Sequence, residues 1–293
     1  MLDLHSHLLP GIDDGASDVA TAMAMAEAFV AEGVEVVACT PHILPGLYHN
    51  EGPQIRQAVD LLQSSITEAG LPLLLTTGAD VHLAPGLVAG LRSGTILSLA
   101  DSRYLLIEPP HHVLPARLED TLFELLVAGY VPIITHPERL SWIKGNYEVM
   151  GRLVQHGVWM QITAGSLTGE FGRGARYWAE RMLDEGLVHI LASDAHDVSR
   201  RRPNLSAGAE AAAKRVGNDE AFELVAGRPR AIIDDRDPLS ISVPRSGEAD
   251  IATQPDQALA KSRWGTNNGK EVGKFGLPSA VRNLGRRLRR LAE

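Results

Sequence analysis

Cysteine is nearly absent: Cys39 is the single one in 293 residues. An internal disulfide is therefore excluded, and a reducing compartment or indifference to redox state is expected. Cys39 closes the apolar run Val34-Glu35-Val36-Val37-Ala38, where a free thiol is a packing group rather than a nucleophile. No apolar run reaches the length needed to span a bilayer. No apolar signal segment precedes the functional-looking residues, which begin at position 3, so a cytoplasmic protein is expected. No Gly-x-Ser-x-Gly elbow supports a serine hydrolase. Positive charge is also short, with 28 Lys/Arg against 36 Asp/Glu, a net of −8. The shortage is uneven. Residues 245–293 hold ten basic and five acidic groups, net +5, which leaves the first 244 residues at net −13. An acidic body argues against nucleic acid as a partner and suits a carboxylate-rich metal site.

What is present is a core's worth of apolar residues, 44% of the chain, in a length that suits one large domain with an appendage. Short apolar runs recur: the segment before His5, then Val34–Cys39, Leu71–Thr77, Tyr104–Ile107, Val131–Thr135, Val158–Thr163 and Val188–Ala192. Helical stretches alternate with them, for example residues 17–32, capped by Ser17 or Asp18 and stopped by Gly33. Others are expected over 51–69 and 116–128. That alternation predicts an α/β fold of parallel strands with helical crossovers. Continuous apolar runs fit strands covered on both faces. A distorted seven-stranded (β/α)7 barrel gathers all the strand ends at one mouth, which an open doubly wound sheet would not. Residues 1–240 are expected to form this barrel, and residues 241–293 a disordered basic C-terminal tail. Within the tail, Val281, Leu284, Leu288 and Leu291 share one helical face among arginines. That short basic amphipathic helix either docks on the acidic body, stays solvated, or touches a membrane surface or a kinase.

The polar residues cluster where the apolar runs end. His5 and His7 alternate at i and i+2 and so project together. Asp14 follows in a Gly/Pro-rich loop, then His42, Asp80, Glu108, His136 with Arg139, and Asp194 with His196. Five histidines and four acids exceed the needs of one ion. Mixed imidazole and carboxylate ligands suit Mn, Fe or Zn better than Ca or Mg. Closely spaced metals with a nearby guanidinium fit an anionic substrate, most economically a phosphate ester. The remaining histidines, His49, His111, His112, His156 and His189, read as surface or packing residues, with His111 and His112 near enough to Glu108 to line the mouth.

His5-Ser6-His7, Thr40-Pro41-His42, His136-Pro137-Glu138-Arg139 and Ser193-Asp194-Ala195-His196 resemble the PHP (polymerase and histidinol phosphatase) superfamily. Leu8–Ala16 and Gln161–Gly169 are similar to motifs of one branch, the manganese-dependent bacterial protein-tyrosine phosphatases of capsule and exopolysaccharide clusters. The resemblance runs over about residues 2–230. It implies a (β/α)7 barrel with three Mn2+ sites, Fe or Zn being possible occupants. His5, His7 and Asp194 would hold the first metal, Glu108 and His136 the second, with Asp80 bridging the two. Asp14, His42 and His196 would hold the third. Arg139 and Arg201 would bind the phosphate while metal-bound hydroxide attacks in line. The implied substrate is the phosphotyrosine tail of a polysaccharide-biosynthesis kinase. Histidinol phosphate or a nucleotide is the alternative within the superfamily, and phosphotyrosine binding without turnover the non-enzymatic one. One position departs: the family usually has glutamate where Asp80 stands. A shorter acid bridges less well, draws the metals together, or binds one of them. His82, two residues on, is either a compensating ligand or a surface histidine.

Overall fold

The computed structural model describes residues 1–247. The basic amphipathic helix expected around Val281–Leu291, and most of the expected tail, lie outside the described residues.

Ten strands are found among the described residues: β1 (Leu2–Ser6), β2 (Val36–Cys39), β3 (His42–Leu44), β4 (Tyr48–His49), β5 (Leu74–Thr77), β6 (Asp80–His82), β7 (Tyr104–Glu108), β8 (Val131–Thr135), β9 (Trp159–Thr163) and β10 (Ile190–Ala192). The α-helices among the same residues are α1 (Val19–Ala31), α2 (Gly52–Glu68), α3 (Leu87–Ser93), α4 (Leu118–Val127), α5 (Ile143–Asn146), α6 (Glu148–Gln155), α7 (Ala164–Thr168), α8 (Gly172–Asp184), α9 (Leu205–Phe222) and α10 (Arg228–Ile233). Asp18 caps α1 as expected, its carboxylate accepting from the Thr21 N–H.

One sheet runs β1-β2-β5 and the other β10-β9-β8-β7-β6-β3-β4. All neighbours are parallel except β3 and β4, a short antiparallel hairpin that strand periodicity did not reveal. The two sheets adjoin. β2 continues into β3, and β5 into β6, across breaks at Thr40-Pro41 and Gly78-Ala79. Proline has no N–H for a ladder. Gly78 lies so close to its neighbours that a Cβ there would meet Leu99 Cδ2 at 2.9 Å and Thr40 Cγ2 at 3.0 Å. These breaks refine the sequence reading in one respect: His42, Asp80 and His82 lie beyond the apolar runs, as expected, but within short strands resumed after each break. At the far side, the Asp194 N–H donates to the His5 carbonyl (2.9 Å) and the His7 N–H to the Ala195 carbonyl (2.8 Å). Asp3 reinforces this seam by accepting from the Ser193 N–H with both oxygens.

The strands are apolar on both faces, so the buried side chains fall into two clusters. Met25, Phe29, Ile55, Leu122, Met150 and Met182 on the helices pack with Val37, Leu105, Ile134 and Met160. On the opposite strand face, Leu2, Leu4, Val36, Leu106, Ile133, Trp159 and Ile190 pack with Ala231, Ile232 and Ile233 of α10. Glu108 and Gln161 share the parity of this second face. His5 does not share the parity of Leu2 and Leu4, yet it must reach the same side. A one-residue irregularity supplies the change: Asp3 pairs with Val37 and Ser6 with Cys39, three steps on β1 against two on β2. Such a bulge re-aims the side chains beyond it.

Residues beyond 240 do not leave the body at once. Arg228, fully buried, donates to the carbonyls of His189, Ser242 and Val243 and pairs with Glu220 at 2.7 Å. The Gly247 N–H donates to the Asp184 carbonyl.

Candidate metal centre

The nine candidate ligands come together where β1, β7, β8 and β10 end, where β3 and β6 begin, and in the loop after β1. His7, Asp14, His42 and His196 offer donor atoms all within 4.8 Å of one another. So do His5, His7 and Asp80, and so do His5, His136 and Asp194. Two further sets centre on Glu108, one with His42 and His82, the other with His111 and His136. His111 thus lines the mouth rather than the outer surface.

The rings are oriented by partners other than the converging donor atoms. His5 Nδ1 lies 2.8 Å from Gln161 Oε1, an oxygen that only accepts. His7 Nδ1 lies 2.7 Å from Asp13 Oδ2, and His196 Nδ1 2.9 Å from the Asp194 carbonyl. Each Nδ1 therefore carries a proton, and it is Nε2 that faces the centre of the mouth. This is how metal-ligating histidines are commonly oriented. Asp13 also accepts from the backbone N–H groups of Gly15 and His42, which fixes the loop after β1. Gly15 has to be glycine here, since a Cβ would fall 2.1 Å from the His7 carbonyl oxygen.

Electrostatics show what the mouth lacks. Burial works against charge on His42, yet Asp14, Asp80 and Glu108 outweigh it and push its pKa up to about 11. Burial likewise opposes charge on His7, and Asp13 lifts it to about 9. The cluster attracts positive charge strongly. Its buried atoms are also short of partners. Both oxygens of Asp80, Glu108 Oε2, Asp194 Oδ1, His42 Nδ1 and His196 Nε2 have no hydrogen-bond partner. Leaving a buried polar group unpaired costs about 1–3 kcal/mol apiece. Divalent cations fit this donor set: neutral imidazole nitrogens and carboxylates, converging, desolvated and otherwise unsatisfied.

Asp194 divides its carboxylate. Oδ1 lies 3.4 Å from the Nε2 atoms of both His5 and His7. Oδ2 accepts from Arg139 and from Arg201, each at 2.5 Å. The Arg139 guanidinium stacks 4.3 Å from the Phe171 ring centroid. Arg201 Nε is buried without a hydrogen-bond partner. Both guanidiniums thus stand beside the ligand cluster with N–H groups to spare. A cleft of about 400 Å³ opens next to them, lined by Arg139, Leu140, Lys144, Phe171 and Trp178 among others. Below it, Glu138 accepts from the Thr163 N–H and the Ser166 hydroxyl and so anchors the turn that carries Arg139.

Sequence reasoning overlooked Asp13, Gln161, Glu138 and Phe171. Gln161 did leave a signal, as the single polar residue inside the apolar run Val158–Ile162. Cys39 is buried and unpaired, and burial pushes its thiol far above the usual range, as a packing role requires.

A strand-end cluster of histidines and carboxylates flanked by arginines is the hallmark of a metal-dependent hydrolase class. Residues 1–234 match the family described as capsular polysaccharide synthesis, CpsB/CapC, and the chain belongs to that family. It is similar to the tyrosine-protein phosphatase YwqE of Bacillus subtilis, 35% identical over 76% of this chain and 88% of that one. It is also similar to the tyrosine-protein phosphatase CpsB of Streptococcus pneumoniae, 28% identical over 80% of this chain and 99% of that one. A solved structure described among those of YwqE from Bacillus subtilis and CpsB from Streptococcus pneumoniae, unique metal-dependent tyrosine phosphatases, superposes with a TM-score of 0.78. The identity is 33%, and the match covers 81% of this chain and 96% of that one. A mutant organophosphorus hydrolase shares the fold alone, at a TM-score of 0.52 and 14% identity.

Proposed function

We propose that this chain is a metal-dependent protein-tyrosine phosphatase. The observation that carries the reading is the set of orphaned donor atoms at the strand ends, with two arginines sharing one ligand carboxylate. His5, His7 and Asp194 would hold one cation, Glu108 and His136 a second, with Asp80 between them, and Asp14, His42 and His196 a third. Bound divalent cations would supply charge against the phosphoryl oxygens and acidify a water. Mn2+ is the proposed metal, and Fe or Zn suit the same ligands. Arg139 and Arg201 would grip the phosphoryl oxygens with the N–H groups that Asp194 leaves free. Asp194 holds the two guanidiniums at a fixed position relative to the ligands, so the grip is organised before substrate arrives. The adjoining cleft gives an aromatic phosphate ester room beside Phe171.

The strand pairing supports a finer architecture, a distorted (β/α)7 barrel in which the two sheets close at the Ser6–Ala195 bridge. The substrate is proposed to be the phosphotyrosine tail of a polysaccharide-biosynthesis kinase, in the cytoplasm. No helix among the described residues is long and apolar enough to cross a membrane. The test is turnover with Mn2+, with and without chelator, on p-nitrophenyl phosphate, phosphotyrosine peptides, histidinol phosphate and nucleotides. Chelator-sensitive turnover with preference for phosphotyrosine peptides supports the reading. Preference for histidinol phosphate or a nucleotide moves the enzyme to small-molecule chemistry, and peptide binding without turnover makes it a regulator.

A further inference from the structure

The donors around Glu108 differ from the set assigned above. Four imidazoles face its carboxylate. His111 and His136 lie 3.2 and 3.6 Å from Oε1. His42 lies 3.4 Å from Oε2, and His82 is in still closer contact with it. Asp80, by contrast, belongs to no three-donor set that includes Glu108. Its Oδ2 turns to His42 (3.3 Å) and His5 (3.6 Å).

The backbone explains why His82 is there. β6 and β7 are parallel neighbours, and His82 is the register partner of Glu108. His82 is also two residues beyond Asp80 on the same strand, so both side chains leave the same face. The contact with Glu108 is an ion pair when His82 is protonated, and with His82 neutral the two atoms turn lone pairs to one point. His42 is claimed by another set, with His7, Asp14 and His196. A neutral imidazole has one lone pair, and His42 turns Nε2 to Asp14 at 3.4 Å. Its Nδ1 lies between Asp80 Oδ2 (3.3 Å) and Glu108 Oε2 (3.4 Å) without a hydrogen-bond partner. Of the two imidazoles at Oε2, only His82 is not also part of the Asp14 set.

We propose that His82 is a metal ligand, meeting Glu108 at Oε2 while His136 faces Oε1 of the same carboxylate, at the position that the short side chain of Asp80 does not serve. The assignment rests on the metal-dependent reading above. It makes this position richer in nitrogen than carboxylate bridging would, and so biased toward Co or Zn relative to Mn.

The test measures metal rather than turnover. Wild-type protein, His82→Asn and His82→Asn/Asp80→Glu are stripped, reloaded with Mn2+ or Co2+, dialysed and assayed by elemental analysis and by Co2+ absorption. Far-ultraviolet circular dichroism and melting curves verify folding. The expected result is one equivalent lost, or bound at least tenfold more weakly, in His82→Asn. The Co2+ spectrum of that variant should lose intensity from a single site. The double variant, with a longer carboxylate at position 80, should regain the equivalent. A folded His82→Asn that keeps every equivalent at wild-type affinity, with an unchanged Co2+ spectrum, overturns the assignment while leaving the phosphatase reading intact. Wild-type protein that binds no divalent cation overturns both.

Discussion

Asp194 is the residue through which ligand cluster and phosphate grip communicate. One of its oxygens faces His5 and His7 and the other takes Arg139 and Arg201. Removing Arg139 should therefore leave the ligands in place and weaken only the grip. Arg139→Ala is expected to keep wild-type metal content and to lose about 100-fold or more in rate, the scale of a lost transition-state donor. Steady-state kinetics beside elemental analysis decides it, and a rate within a few-fold of wild type removes Arg139 from the site. Asp13 acts at one remove. Asp13→Ala frees the His7 ring, and a titration with Mn2+ should show affinity reduced about 10- to 100-fold, as for other groups that orient ligands. The nine candidate ligands were legible in the sequence because histidines and acids stand out where apolar runs end. Asp13 and Glu138 were not, because an acid beside a ligand is read as part of the same motif until its hydrogen bonds are known. Arg139 and Phe171 meet only in three dimensions.

At the scale of elements, most of the strands and several helix ends were legible, since β-branched runs and glycine stops are local signals. The bulge in β1 was not. It depends on the pairing of Asp3 with Val37 and Ser6 with Cys39, and nothing in Leu2–Ser6 alone sets that register. The breaks after Cys39 and Thr77 were half visible, as a proline and a glycine, but their consequence was not: ligands placed inside resumed strands. Helix packing was equally hidden. Gly208 of α9 rests on α7, and a Cβ there would lie 2.5 Å from Ala164 Cβ and 2.8 Å from its Cα. α7 carries Ser166, which holds Glu138 beside Arg139. Gly208→Ala must push the two helices apart, and overpacking of this kind costs about 1–3 kcal/mol. A melting temperature several degrees lower is expected, at roughly 2–4 °C per kcal/mol for a domain of this size. An unchanged melting curve would mean that α7 yields freely, and the close approach would have no structural weight.

For the molecule as a whole, the closing segment is pinned from inside by one buried network, and that network sets an acid limit. His189 is buried, stacked on Trp159 at 4.7 Å between ring centroids, and its Nδ1 accepts from the Met160 N–H. Arg228 stands beside it, paired with Glu220 and donating to the carbonyls of His189, Ser242 and Val243. Burial, and after it the Arg228 charge, lower the His189 pKa to about 3. The folded state thus refuses a proton that the unfolded chain accepts below about pH 6.5. Where the unfolded state binds more protons, stability rises with pH. The contribution of neutral His189 is therefore complete above about pH 6.5 and is lost progressively as pH falls toward 3. The slope in that window is at most about 1.4 kcal/mol per pH unit from this group. The measurement is a difference between two chains. Metal-free wild type and His189→Asn, whose side-chain oxygen can still accept from Met160, are unfolded in urea at a series of pH values between 4.5 and 7.5. The variant should lose stability less steeply between pH 6.5 and 4.5 while matching the wild-type slope above pH 7. Parallel curves across the whole range would show that His189 takes up its proton in the folded protein at little cost, and that the Arg228 network does not exclude it.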